Sequence, residues 1–366
     1  MQAYELIIDA KVKTSPFAIV SVDDFQVHAG QPLNPQIILA QPNISLYCLD
    51  HANQQAIFIE TAPDANLLQA PFYFIAQYEA AQRLIAVPYQ TLHALASQVT
   101  IAPQRIILFY STGRCGSTLF SHVMNLNTAV ISFAEPDVFS QLVQLRTAKQ
   151  ASTEALSTLL WDVIMVMSAN AQLQGFDYYA FKFRSYVLSI SDLLYRALPE
   201  AKLLFMYRHA LTWARSFSRA FGAPTDAALK TNLETHGFRY MIPSVNAYLQ
   251  TNGYPISWVD HVAHMWVSTM HDARWLQQQG AALATARFAD MRTTSEPICE
   301  ALLTHCGLPM PKPSQLAAVL GKDSQAGTEG AQDKKEPARR LTNADLVILE
   351  NAIRQLDPTL APDTML

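Results

Sequence analysis

The sequence predicts an α/β protein: a mainly parallel sheet flanked by helices, with a β-rich N-terminal extension or small domain. Three observations carry that expectation. From about residue 104, strand-like apolar runs alternate with long helical stretches, the pattern of βαβ units. One such junction, "LFYSTGRCGSTLF" at 108–120, passes from an apolar run through two glycines to two hydroxyl residues and a second apolar run. Residues 1–100, by contrast, hold 7 of the 20 prolines and only short apolar runs broken by Pro, Asn and Asp, which reads as short strands.

Taken in order, the N-terminal strands are expected in "ELIIDA", "PFAIVSV", "PQIILA", "ISLYCL", "QAIFIE", "FYFIAQY" and "RLIAVPY". The strands of the main sheet are expected at "RIILFY" (105–110), "AVISF" (129–133), "YYAFKF" (178–183), "KLLFMY" (202–207) and "ALATARF" (282–288). Residues 152–174 and 258–279 are long enough for buried or amphipathic helices, the second closed by Gly280. Ser295 opens a further helix that Gly307 stops. Residues 321–340 hold nine charged residues and no large apolar one, so a flexible loop is expected there. A last helix begins at Thr342, with Asp345 in the capping-box position and Leu346, Leu349, Ile353 and Leu356 on one face. The domain division expected from this texture is 1–100 and 101–366.

Bulk properties exclude several classes. Half the residues are hydrophobic and 15% charged, which suits a packed protein and not a disordered one. A net charge of −4 gives no general footprint for nucleic acid. Residues 1–100 carry 3 basic against 8 acidic residues, so the remainder is close to neutral and any anion site must arise by local convergence. Cys48, Cys115, Cys299 and Cys306 show no metal or framework spacing and are read as reduced. The N-terminus shows no signal peptide, and no run approaches 18 apolar residues, so the expectation is a cytoplasmic protein without a membrane segment.

The chemistry concentrates in two places. Gly113 and Gly116 allow a tight turn whose N–H groups meet an anion at the next helix, with Arg114 adding a planar fork of donors and Ser117 and Thr118 adding hydroxyls. Read alone, this is equally an ordinary strand-to-helix turn. The second stretch, "KLLFMYRHALTWARSFSRAF" (202–221), is a strand ending at Arg208, then a helix bearing Ser216 eight residues on. Such an arginine and serine can meet on one phosphate; singly, they read as a structural ion pair and a surface hydroxyl.

Together the two stretches resemble the sulfotransferase family, in its bacterial type, whose donor is 3′-phosphoadenosine 5′-phosphosulfate (PAPS). Arg114-Cys115-Gly116-Ser117-Thr118 matches the loop that holds the 5′-phosphosulfate, with Arg where many members have Lys. Arg208 and Ser216 match the pair that holds the 3′-phosphate. "ARFADM" (286–291) looks like the family's strand leading into an acidic turn. "KDSQAGT" (322–328), with Ser324, Gly327 and Thr328, then Lys334 and Arg339-Arg340, resembles the late loop that closes over the nucleotide. The resemblance spans about 104–357. It implies a P-loop nucleotide-binding-like fold, a metal-independent enzyme using PAPS and releasing 3′-phosphoadenosine 5′-phosphate (PAP), and a small-molecule, lipid or sugar acceptor.

Roles follow from that resemblance. Arg114 is expected to stabilise the leaving phosphate, and Glu135, before Pro136 in "SFAEPDVF", to act as base; its alternative is a capping or ion-pairing carboxylate near Asp137. Lys182 either approaches the donor sulfate or neutralises Glu135, and Arg184 either pairs with the acceptor or is a solvated strand residue. His209 reads as a residue of a helix's first turn, while His122 follows the loop closely enough to face the site. His261, His264 and His271 share a helix but lack a third-ligand pattern, so satisfied helical histidines are expected. Trp213, Phe217 and Phe221 read as core. Two rivals stay open: a nucleotide-binding protein without catalysis, and a P-loop small-molecule kinase, which would need the absent loop lysine and Mg²⁺.

Overall fold

The computed structural model describes residues 2–67, 70–235, 237–322 and 341–366. The strands are β1 (Ala3–Lys11), β2 (Phe25–Leu33), β3 (Ile44–Asp50), β4 (Gln55–Glu60), β5 (Arg83–Pro88), β6 (Ile106–Ser111), β7 (Val130–Ala134), β8 (Tyr178–Lys182), β9 (Lys202–Tyr207) and β10 (Leu283–Arg287). The first five form an antiparallel sheet in the order β2-β1-β5-β4-β3, and the last five a parallel sheet in the order β10-β9-β6-β8-β7. Every residue of β6 and β7 is buried, as strands covered on both faces by helices must be. The α/β class with a β-rich N-terminal part is therefore what the chain forms.

By compactness the chain divides into two units, one of residues 1–107, 128–182 and 193–201, the other of 108–127, 183–192 and 202–366. In the first, the antiparallel sheet closes on a core that includes Val20, Phe25, Tyr47, Ile57, Ile59, Phe74 and Leu84. A buried polar group stands within it: Asp24 accepts from Lys13 Nζ at 2.7 Å and from Tyr47 OH at 2.5 Å, so the carboxylate is paired and hydrogen-bonded where burial would otherwise be costly. Helix Thr153–Leu173 belongs to this unit and starts where Ser152 Oγ accepts from Ala155 N. It is long and apolar enough to cross a membrane by composition, yet 72% of its most apolar window is buried inside the protein, the signature of a core helix.

Three of the N-terminal runs expected as strands are not strands. "PQIILA" makes a single 3₁₀ turn, Pro35–Leu39, because Asn34 Oδ1 caps Gln36 N and proline presets the first turn. "FYFIAQY" lies in helix Tyr73–Ala80, which buries Tyr73, Phe74 and Gln77 on one side; its apolar run has no alternation to fix a strand. "PFAIVSV" is irregular, and β2 forms further on, in a segment containing Gly30 and Pro32 that sequence patterning disfavours.

The second unit holds helices Ala210–Phe221, Trp258–Gln278 and Asn343–Leu356. The last has the expected reciprocal cap: Asp345 N donates to Thr342 Oγ1, and Thr342 N donates to Asp345 Oδ2. Within Trp258–Gln278, His261 and His264 each leave Nδ1 buried and without a hydrogen-bond partner. Among the described residues no group of three or more His, Cys, Asp and Glu is placed to hold a metal ion. Burial, then repulsion from His264, holds His261 down at about 4. The folded state thus favours the neutral ring, so the stability it contributes is full above pH 6.5 and is lost as pH falls from there towards 4. In urea titrations, His261→Gln is expected to reduce the stability loss between pH 7 and pH 4 by on the order of 2–3 kcal/mol; an unchanged loss would place the acid sensitivity elsewhere.

Candidate functional site

In the second unit, β6 ends at Ser111 and the chain turns through Gly113 (φ 71), Arg114 (φ 51) and Gly116 (φ 85), all left-handed. Two of these are glycine, which adopts that conformation freely; Arg114 does not, and a non-glycine residue there carries about 1–3 kcal/mol of strain. Gly116 is the N-cap of helix Ser117–Met124 and supplies no side-chain cap. The first-turn N–H groups therefore depend on something other than a capping side chain. A Cβ on Gly116 would meet the Phe288 ring at 3.4 Å, an ordinary contact, so the left-handed φ and not a lack of space is what favours glycine there.

The second stretch reaches the same place. Arg208 follows β9, and its Nη1 donates to the Arg114 carbonyl at 3.2 Å, its Nε to Thr212 Oγ1 at 3.2 Å. Arg114 Nε donates to Ser216 Oγ at 3.4 Å. Arg114, Arg208 and Ser216 are thus brought together. The Arg208 guanidinium also lies 4.4 Å from the centre of the Phe288 ring, a cation–π distance. Burial pushes the Arg208 guanidinium below its ordinary value, and repulsion from Arg114, Arg292 and Arg219 acts in the same direction. Among the described residues no carboxylate pairs with Arg208, Arg219 or Arg292. Cations gathered at one place raise the local positive potential, which favours an anion.

Ser117 and Thr118 occupy the first two positions of the helix and are buried. Cys115 is fully buried, and its Sγ donates to the Met206 carbonyl, so its thiol is directed into the fold while its backbone belongs to the loop. His209 caps its own helix, Nδ1 accepting from Leu211 N, which is the structural reading of that residue. Trp213 is buried as core, and its Nε1 donates to the Thr112 carbonyl at 2.9 Å. Trp266 Nε1 does the same for the Arg208 carbonyl at 3.0 Å. Sequence reasoning missed Trp266 and Phe288; the one available signal was Phe288 standing directly after a strand that ends in Arg287. Arg184 stands 5.8 Å from the Tyr186 ring. Ser324, Gly327 and Thr328, like Lys334, Arg339 and Arg340, lie outside the described residues.

A small cleft opens beside the loop in this unit, with Thr112, Ser185, Trp213, Met265, Thr269 and Asp272 among its walls and about 20 Å³ of space, room for about a single water. It offers an apolar floor, several hydroxyls and one carboxylate.

Glu135 and Lys182 belong to the first unit. Glu135 follows β7 with φ 62, its N–H donating to the Lys182 carbonyl at 2.7 Å, and Lys182 ends the neighbouring parallel strand opposite Ala134. Their side chains form an ion pair, with the lysine side chain 3% and the glutamate 18% exposed. Of the two readings open for Lys182, the structure shows it neutralising Glu135. Asp137 does not cap the helix it precedes; it accepts from Val20 N instead.

No family model and no curated protein matches the chain. Among solved structures it is similar to a sulfotransferase from Alicyclobacillus acidocaldarius, with 12% identity over 70% of this chain and 96% of that one and a TM-score of 0.38. It is similar too to the sulfotransferase domain of the Curacin biosynthetic pathway (13% identity, 69% and 92% covered, TM-score 0.36). A sulfotransferase from Mycobacterium avium gives 11% identity, 76% and 83% coverage and a TM-score of 0.41. At such TM-scores these likenesses carry no argument about activity.

Removing one member of a buried ion pair leaves the other charge unpaired, at about 3–5 kcal/mol. Lys182→Met is therefore expected to lower unfolding stability by that amount, and Lys182→Met with Glu135→Gln to recover at least half of it. A double variant no more stable than the single one would show that the two side chains are not energetically coupled.

Proposed function

We propose that the chain is a sulfotransferase, moving a sulfuryl group from PAPS to a hydroxyl or amine of a small-molecule, lipid or sugar acceptor. One observation supports it most. Two anion-type stretches, 94 residues apart at Arg114 and Arg208, interlock through the Arg208–Arg114 carbonyl and Arg114–Ser216 hydrogen bonds. Either stretch alone has an ordinary structural explanation, whereas guanidinium groups gathered at a helix start without a side-chain cap suit a ligand with phosphate-type groups at both ends. The residues present fit the donor: Arg208 and Ser216 are assigned its 3′-phosphate, and Gly113, Arg114, Gly116, Ser117, Thr118 and the Cys115 backbone its 5′-phosphosulfate. Four free, buried cysteines support work in a reducing, cytoplasmic setting.

When bound, the donor supplies the sulfuryl group and a phosphate leaving group. Arg114 and the first-turn N–H groups oppose the negative charge that grows on the leaving phosphate. Glu135 is assigned removal of the acceptor's proton. Two features of its own unit support that: it stands at the C-terminal end of a parallel strand, where α/β sheets carry ligands, and it holds a strained φ. Lys182 fixes the carboxylate's position. A second reading, nucleotide binding without catalysis, is favoured by the same ion pair, since a proton on Glu135 would leave the buried Lys182 ammonium without a counter-charge.

Calorimetric titration with PAP without metal, beside ATP with Mg²⁺, tests the donor assignment. Micromolar binding of PAP with much weaker ATP is expected; preference for Mg²⁺–ATP would establish the kinase reading instead. Arg208→Ala should weaken PAP by about 1.5–3 kcal/mol, the worth of a hydrogen bond to a charged group, and unchanged affinity would remove Arg208 from the site. Arg114→Gly separates strain from binding: it should unfold at no lower temperature than the parent, since glycine relieves the left-handed backbone, while binding PAP at least tenfold more weakly. A large loss of stability would show that Arg114 is there for the fold.

A further inference from the structure

We propose that Arg219 and Arg292, which stand in neither of the two anion-type stretches' matched positions, complete the subsite for the donor's 3′-phosphate. The inference rests on the donor assignment above and adds two binding residues to it.

Helical spacing places both arginines. On helix Ala210–Phe221, Thr212, Ser216 and Arg219 follow one another at i, i+4 and i+7 and share one face. That face meets the cluster, since Thr212 Oγ1 accepts from Arg208 Nε at 3.2 Å and Ser216 Oγ from Arg114 Nε at 3.4 Å. On helix Phe288–Thr293, Arg292 stands four residues after Phe288, on the side of the ring that lies 4.4 Å from the Arg208 guanidinium. The repulsion felt at Arg208, which adds to the effect of its burial, comes from Arg114, Arg292 and Arg219, in agreement with that placement. Both added arginines are exposed, and among the described residues neither makes a hydrogen bond or an ion pair. Their neighbours in sequence are engaged: Arg215 Nη2 donates to Asn343 Oδ1 at 3.0 Å, and Arg287 pairs with Asp290 at 2.9 Å.

The chemistry of a phosphate monoester gives the two a task. A guanidinium has five N–H donors, and Arg208 spends one on the Arg114 carbonyl and one on Thr212. Ser216 Oγ accepts from Arg114, which leaves its own proton to donate. A phosphate monoester presents three terminal oxygens and carries about two negative charges near neutral pH. Arg208 and Ser216 together bring one positive charge to it. Arg219 and Arg292 supply the missing charge and two further planar forks of donors, the geometry that suits phosphate oxygens.

The test follows PAP by ³¹P NMR, which resolves its two phosphates, in titrations of the full chain at several pH values. Bound to the parent chain, the 3′-phosphate is expected to titrate below the free value of about 6, because neighbouring cations favour its dianion. Arg219→Ala and Arg292→Ala are each expected to weaken PAP about fivefold, the scale of an exposed ion pair. Each should also move the bound 3′-phosphate's titration back towards the free value and leave that of the 5′-phosphate in place. Arg354→Ala removes an equal charge from helix Asn343–Leu356 and is expected to change neither readout. With the parent binding PAP, unaltered affinity in both variants, a shift confined to the 5′-phosphate, or an equal loss in Arg354→Ala would each overturn this inference and leave the donor assignment standing. A parent chain that does not bind PAP would overturn the donor assignment itself, and this inference with it.

Discussion

The arrangement of the loop after β6 depends on one contact, the Arg208 guanidinium on the Arg114 carbonyl. A left-handed arginine between two left-handed glycines is not a conformation a loop keeps by itself. Arg208 holds that carbonyl while its own guanidinium lies against Phe288, the ring nearest to Gly116. The same fastening recurs at the strand ends. Thr112 N donates to the Met206 carbonyl, and the carbonyls of Thr112 and Arg208, the residues just past β6 and β9, each receive an indole N–H. Carbonyls leaving a sheet edge must find partners or pay for burial. Two tryptophans meet that need and, in doing so, fix where the two basic residues emerge.

The first unit and the Arg208 cluster treat charge differently. In the first, Lys182 meets Glu135, Lys13 meets Asp24, and Arg83 lies between Glu5 and Glu60. Each cation has its carboxylate within ion-pairing distance. In the second, Arg208 is buried enough to be pushed down, with other arginines adding to the repulsion. Such a cluster destabilises the protein alone and is relieved by an anion.

Much of this was legible in the sequence, for identifiable reasons. The parallel strands were readable because strands buried on both faces are continuous apolar runs, and "KLLFMY" coincides with β9 residue for residue. The capping box at Thr342 and Asp345 was readable because it is local. Antiparallel β2 was not, since partners far along the chain decide it and Gly30 and Pro32 argue against a strand. At the site, Arg114, Arg208 and Ser216 were legible by residue type and spacing. Phe288 and Trp266 were not, because an aromatic ring that braces an arginine or caps a carbonyl looks, in sequence, like any core residue.

Backbone strain adds a criterion independent of charge. Among the described residues, the non-glycine positions with left-handed φ are Gln54, Arg114, Glu135 and Lys149. Gln54 and Lys149 stand in turns, where a polar side chain in that conformation needs little further account. Arg114 and Glu135 follow the ends of buried parallel strands, where the chain has tighter neighbours and the cost must be covered by other contacts: Arg208 and Ser216 for one, Lys182 for the other. A glycine in either position would relieve the backbone and would discard the side chain. That both positions keep a charged side chain at the expense of strain is the pattern left when a residue is held for what its end group does. Charge clustering picks out Arg114 on separate grounds, so for that residue two unrelated physical criteria agree. For Glu135 the strain and the ion pair agree only that its carboxylate is fixed in place, and the chemistry of that carboxylate turns on whether Lys182 can release it.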